Sequence, residues 1–224
     1  LYRNEGGSRF RDVSKEAGVA NPDGKSLGVA TADFDGDGLT DVFVANDAVQ
    51  QYLYRNRGGG RFEDVAFEAF AAFDQDGKAF SGMGTDAADY DNDGRPDAVV
   101  TNLSNQCYAL FRNLGDWTFS YETHASGLGR ISLLSSGWGV RFLDYDNDGW
   151  KDLFLVQGHV LDTIELTSPH LRYRQPPLIA RNEGDGRDHQ ADHPQDDGPQ
   201  HATRRPARTG GETFRPAFDQ AAKP

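Results

Sequence analysis

Twelve aspartates recur in three copies of one nine-residue pattern: "DFDGDGLTD" at 33–41, "DYDNDGRPD" at 89–97 and "DYDNDGWKD" at 144–152. Positions one, three and five are Asp33, Asp35 and Asp37, then Asp89, Asp91 and Asp93, then Asp144, Asp146 and Asp148. Position nine is Asp41, Asp97 or Asp152, and position six is Gly38, Gly94 or Gly149. Alternate carboxylates on a tight loop converge on one point, and the glycine lets the backbone turn beneath them. A hard cation taking 6–8 oxygens at about 2.3–2.6 Å suits such a cage, so the expected ion is Ca²⁺, with about three sites. Mg²⁺ prefers few protein ligands and several waters, and fits less well. At position seven Leu39, Arg95 and Trp150 share no side-chain chemistry, so each is expected to offer a backbone carbonyl.

Two bland readings compete with this one. The loops open as an EF-hand does, but an EF-hand needs Glu at position twelve and flanking helices. Position twelve here is Val44, Val100 or Leu155, inside an expected strand. Alternatively the aspartates are only turn formers, yet turn chemistry does not require a fourth Asp at position nine three times over. Electrostatics favours the metal: three divalent ions would halve the formal net charge of −12. The expected role is structural, with binding and folding linked by mass action.

The elements that must position these loops follow from a periodicity. The acidic loops begin 56 and 55 residues apart. A second motif keeps the same beat: "LYRNEGG" at 1–7, "LYRNRGG" at 53–59, "LFRNLGD" at 110–116 and "IARNEGD" at 179–185. An aromatic follows the arginine by seven residues in the first three copies, from Arg3 to Phe10, Arg55 to Phe62 and Arg112 to Phe119. Gly28, Gly84 and Gly139 stand five residues before each first aspartate. Each unit reads as four short strands: one before the Arg-Asn-x-Gly turn, one from the aromatic, one running into the acidic loop and one leaving it. The last are near-continuous apolar runs, "DVFVAN", "DAVVTN" and "DLFLVQ", as in strands covered on both faces. Four strands per unit, stacked radially, make a β-propeller; solenoid repeats are usually shorter. The fold class is therefore all-β, with about three four-stranded blades and the start of a fourth.

With these motifs the chain resembles the FG-GAP/VCBS repeats of integrin-α-like propellers. The "LYRN-x-G-x-G-x-F-x-D-V" stretches and "LFLVQGHV" look more narrowly like the repeat region of ASPIC/UnbV-type proteins. The resemblance covers residues 1–187, in units of about 1–52, 53–109 and 110–177 and a partial unit 178–187. It implies a seven-bladed propeller in a secreted, periplasmic or cell-surface setting, often with a further C-terminal domain; that domain alone is not recognisable here. No signal peptide opens this sequence, and three and a half blades do not close a ring, so the chain reads as part of a longer protein. Self-association through open blade edges is the lesser alternative.

After "IARNEGDGR" the beat calls for an aromatic at 188, where Asp188 stands instead. Residues 187–224 contain no Leu, Ile, Val, Met, Trp, Tyr or Cys, and the stretch 188–224 is expected to be a disordered tail or the product of a frame shift. His189, His193 and His201 alternate there with acidic residues, and a solvated tail is preferred to a metal cluster. Residues 159–177 lengthen one interval and read as a rim loop or a plain connector.

The acidic balance argues against nucleic acid and against an anionic membrane surface. No run of apolar residues is long enough to insert in a membrane. No G-x-S-x-G, zinc-type His-Glu pair or P-loop occurs. Cys107 lacks an identifiable base, and His124, His159 and His170 are isolated in sequence. Trp117, Trp138 and Trp150 could line a sugar site, although propeller strands bury aromatics routinely. The expectation is a calcium-binding extracellular module for a protein or carbohydrate ligand, without catalysis. The alternative is the propeller scaffold of an enzyme acting on a polysaccharide or secondary metabolite.

Overall fold

A computed structural model of the chain describes residues 1–184 and 213–217. The chain opens with a hairpin of β1 (Tyr2–Asn4) and β2 (Phe10–Asp12), followed by one helical turn, α1 (Ser14–Ala17). The first full blade comprises β3 (Ser26–Ala32), β4 (Asp41–Val49), β5 (Tyr52–Asn56) and β6 (Phe62–Asp64) in consecutive antiparallel order. A two-residue strand, β7 (Phe80–Ser81), pairs with the end of β4. The second blade is β8 (Thr85–Ala88), β9 (Asp97–Val100), β10 (Ala109–Asn113) and β11 (Phe119–Tyr121). After α2 (Leu128–Ser132), the third blade is formed by β12 (Gly137–Leu143), β13 (Asp152–Gln157), β14 (Leu178–Asn182) and β15 (Phe214–Pro216), with α3 (Ile164–Thr167) between β13 and β14. The described residues are thus all-β apart from three short helices, and their four antiparallel sheets are arranged as β-propeller blades.

Each of the three full blades starts at the strand that runs into the acidic loop and ends at the aromatic one. The repeat boundaries expected near 53 and 110 therefore fall inside a blade, at its third strand. The acidic loop joins first and second strands of a sheet, not third and fourth. A strictly periodic sequence looks the same wherever it is cut. Hydrogen bonding decides the cut, because β4 pairs with β5 (Val42 opposite Tyr54) across a tight connection.

Two of the three glycines before the acidic loops have a packing reason; at the third, Gly139, a Cβ would meet only the Val156 side chain at 3.8 Å. First strands of neighbouring blades lie against one another, β3 on β8 and β8 on β12. A Cβ on Gly28 would stand 2.4 Å from the Met83 carbonyl oxygen, and one on Gly84 would stand 1.8 Å from that of Trp138. Only glycine permits this approach.

The core lies between blades. Ala98 and Val100 of β9 face a cluster with Phe34, Phe43, Leu53 and Phe111. Val99, between them, faces the opposite cluster with Tyr90, Leu110, Leu153 and Phe214. Period-two alternation across a sheet covered on both faces explains the unbroken apolar run. In β13, Leu153 and Leu155 are fully buried while Phe154 and Val156 remain 38% and 45% exposed, because among the described residues no blade covers that face.

The expectation of disorder over 188–224 does not hold for residues 213–217. Phe214 sits opposite Asn182, as Phe62 sits opposite Asn56 and Phe119 opposite Asn113. It is fully buried and its ring lies 5.8 Å from that of Tyr90. The aromatic absent at 188 is therefore supplied by Phe214. Edge pairing needs only the right residue opposite Asn182, whatever the length of chain between. The other tail residues, including His189, His193 and His201, lie outside the described residues, as do 185–187.

The 159–177 segment is tied down as a connection on the third blade. The Gln175 amide accepts from the Ser136 N–H at 2.9 Å and donates to the Leu134 carbonyl at 3.3 Å. No described helix is long and apolar enough to cross a membrane.

Candidate metal centres

The three acidic loops adopt one geometry. Glycine at position six takes φ of +85°, +88° and +92° at Gly38, Gly94 and Gly149, the left-handed region open to glycine. Position four is also left-handed, at Gly36, Asn92 and Asn147, which accounts for the restriction to Gly or Asn there. The carboxylate at position one accepts from two backbone amides. Asp33 accepts from Asp37 (3.1 Å) and Gly38 (2.8 Å), and Asp89 and Asp144 repeat the arrangement. At position five, Asp37, Asp93 and Asp148 each accept from the N–H of the position-seven residue.

The position-nine aspartates are buried at the root of the second strand. Asp97 Oδ2 accepts from the Tyr90 N–H at 3.0 Å and Oδ1 from the Asn113 N–H at 2.8 Å. Asp41 holds Phe34 and Asn56 in the same way, and Asp152 holds Tyr145 and Asn182. These residues therefore clamp the loop to the third strand of the blade. Burial pushes all three carboxyls upward, Asp97 to about 8.

The side chains converge. One carboxylate oxygen from each of Asp33, Asp35 and Asp37 lies within 4.8 Å of the others. The same holds for Asp89, Asp91 and Asp97, and for Asp144, Asp146 and Asp152. All twelve expected aspartates sit in these loops, and ten of them share a carboxylate cluster or clamp it through position nine; Asp93 and Asp148 lie beside theirs. Asp91 tests the fit to a cation. It is 4% exposed; its Oδ2 meets the Arg112 guanidinium in an ion pair, while its Oδ1 is buried with no partner at all. Burying an ionised carboxylate without hydrogen bonds is costly, and a coordinated cation is one way to offset that cost. Burial raises the Asp91 carboxyl above its ordinary range, and the neighbouring Arg112 guanidinium opposes that rise without cancelling it.

At position seven the side chains are less free than their variety suggests. Leu39, Arg95 and Trp150 lie over Gly58, Gly115 and Gly184, the turn glycines of the same blades. Arg95 also forms an ion pair with Asp93 and donates from Nε to the Asn113 carbonyl at 3.0 Å.

Sequence reasoning missed the residues around the loops. In the second, third and fourth Arg-Asn-x-Gly motifs the arginine points at an acidic loop. Arg55 Nη2 lies 2.8 Å from Asp35 Oδ2, Arg112 Nε 2.5 Å from Asp91 Oδ2 and Arg181 Nη2 2.7 Å from Asp146 Oδ2. In the second and third blades the following asparagine crosses to the preceding blade. Asn113 Nδ2 donates to the carbonyl of Phe34 and Asn182 Nδ2 to that of Tyr90, each at 2.8 Å. Trp117 of the second blade donates to Asp35 of the first at 3.0 Å, and the Arg55 guanidinium lies 4.9 Å from the centre of its ring. The constant Arg-Asn beat was the available signal, though turn formation alone explains its asparagine.

Radially neighbouring four-stranded sheets, each with a convergent carboxylate loop between its first two strands, define a repeat-built β-propeller module. The chain belongs to the FG-GAP-like repeat family, whose sequence pattern matches residues 1–44, 33–100 and 89–155. It is similar to cartilage acidic protein 1 of Mus musculus, with 31% identity over 168 residues, and of Homo sapiens, with 30% over 168. The Xenopus tropicalis protein of that name is 28% identical over 167 residues. These alignments take in 70% of this chain, which spans about a quarter of the relatives' length.

Proposed function

We propose that the chain is a calcium-binding extracellular β-propeller module that mediates binding to a protein or glycan. The cation is structural: it neutralises the carboxylates of each loop and so holds the first two strands of a blade to the third. Asp33, Asp35, Asp37 and Asp41 would hold one ion, with the Leu39 carbonyl. Asp89, Asp91, Asp93 and Asp97 would hold a second with that of Arg95, and Asp144, Asp146, Asp148 and Asp152 a third with that of Trp150. The observation that carries this reading is Asp91, buried in the middle loop among converging carboxylates, with Oδ1 unpartnered and only one arginine on Oδ2.

An extracellular setting is supported by the family and by relatives named for cartilage. It also suits the chemistry, since extracellular calcium modules bind with Kd of about 10⁻⁴–10⁻³ M. The exposed Phe154 and Val156 face of β13 would be covered by a further blade of a seven-bladed ring. In this reading the module binds and does not turn over, and the acidic clusters serve the cation.

Thermal unfolding with calcium and with EGTA tests the central claim. The melting temperature is expected to rise with free calcium and fall in EGTA, following RT ln(1 + [L]/Kd) for each site. A melting temperature that ignores both would defeat it.

A further inference from the structure

Position three of each acidic loop carries an ion pair from the third strand of its own blade. Arg55 meets Asp35. Arg112 meets Asp91 and, at 3.4 Å, Asp93. Arg181 meets Asp146 and, at 2.9 Å, Asp148. The pairs are shielded: the Arg112 side chain is 19% exposed and that of Asp91 5%. Arg3 occupies the equivalent place in the β1–β2 hairpin, which has no acidic loop of its own, and pairs with Glu5 instead.

Four carboxylates in one small loop repel one another, and one guanidinium offsets one of those charges. A divalent cation would draw on the same carboxylates. The guanidinium and the cation therefore weaken each other's binding, and such coupling is reciprocal. Loop geometry does not depend on the arginine, because positions one, five and nine are already held by backbone amides.

We propose that Arg55, Arg112 and Arg181 are affinity-setting counter-charges that hold the metal-free loops together and weaken the cation sites. The blades then stay closed when calcium is low, and the sites fill only where calcium is abundant. This inference rests on the calcium reading above.

The test uses the full chain with Arg112→Gln, Arg112→Lys and, as control, Arg3→Gln. Calcium affinity is read by titration calorimetry, and metal-free stability by melting in EGTA. Arg112→Gln is expected to tighten one site about tenfold, lower the melting temperature in EGTA and enlarge its rise on adding calcium. Arg112→Lys keeps the charge and stays near wild type, and Arg3→Gln leaves calcium binding unchanged. Should Arg112→Gln not fold in EGTA, Arg181→Gln on the more exposed third loop is expected to show the same tightening. Unchanged or weaker affinity in the glutamine variants would overturn the proposal, since the arginine would then orient its ligand. Failure of the calcium reading looks different: wild type shows no binding heat, while Arg112→Gln still loses stability in EGTA.

Discussion

Asp97 combines two demands that pull apart. Its backbone hydrogen bonds favour the ionised form, while burial outweighs them and pushes the carboxyl to about 8. In an unfolded chain the same group titrates near 3.9. Between those values the metal-free fold holds a proton that the unfolded chain releases, so stability must fall as pH rises through the window. Asp41 and Asp152 shift in the same direction. Melting in EGTA is therefore expected at a higher temperature at pH 6 than at pH 9. Saturating calcium, which favours the ionised carboxylate, should flatten or reverse that slope. A metal-free melting temperature that climbs from pH 6 to pH 9 would contradict the burial argument.

At the scale of the element, the third strand works harder than its sequence suggests. Its asparagine caps the turn and supports the position-nine aspartate, and in the second and third blades it also bridges to the preceding blade. Asn113 donates to Phe34 and Pro96 from a fully buried site, so Asn113→Ala leaves two carbonyls without that donor. The expected loss is about 3 kcal/mol. Asn56 reaches only Thr40, in an exposed hydrogen bond, and Asn56→Ala should cost about 1 kcal/mol. Urea titration of the two variants checks this, and equal losses would argue against the inter-blade bond. The four strands of a blade were legible in the Arg-Asn turn, the aromatic offset and the apolar runs. The bridging role was not, because it joins residues 79 and 92 positions apart in sequence.

For the whole molecule, stability resides in the faces between blades rather than inside any one sheet. Phe214 belongs to such a face, packed on Tyr90. Phe214→Ala is expected to destabilise the protein by about 3–5 kcal/mol, the usual cost of removing a buried phenylalanine. Differential scanning calorimetry would reveal it, and a variant as stable as wild type would remove β15 from the third blade.

Periodicity alone determined the all-β blade architecture, the three acidic loops and their candidate cation, because each rests on local residue types at fixed spacing. A glycine at position six and carboxylates at alternate positions impose the same turn wherever they occur. Tertiary structure decided where each blade begins, since a repeat has no intrinsic first strand until hydrogen bonding selects one. It also decided that Phe214 completes the third blade, and that Arg112 and Asn113, read as turn residues, bind the loops and the neighbouring blade. Those outcomes depend on contacts between residues far apart in the chain, and spacing along a sequence carries no record of them.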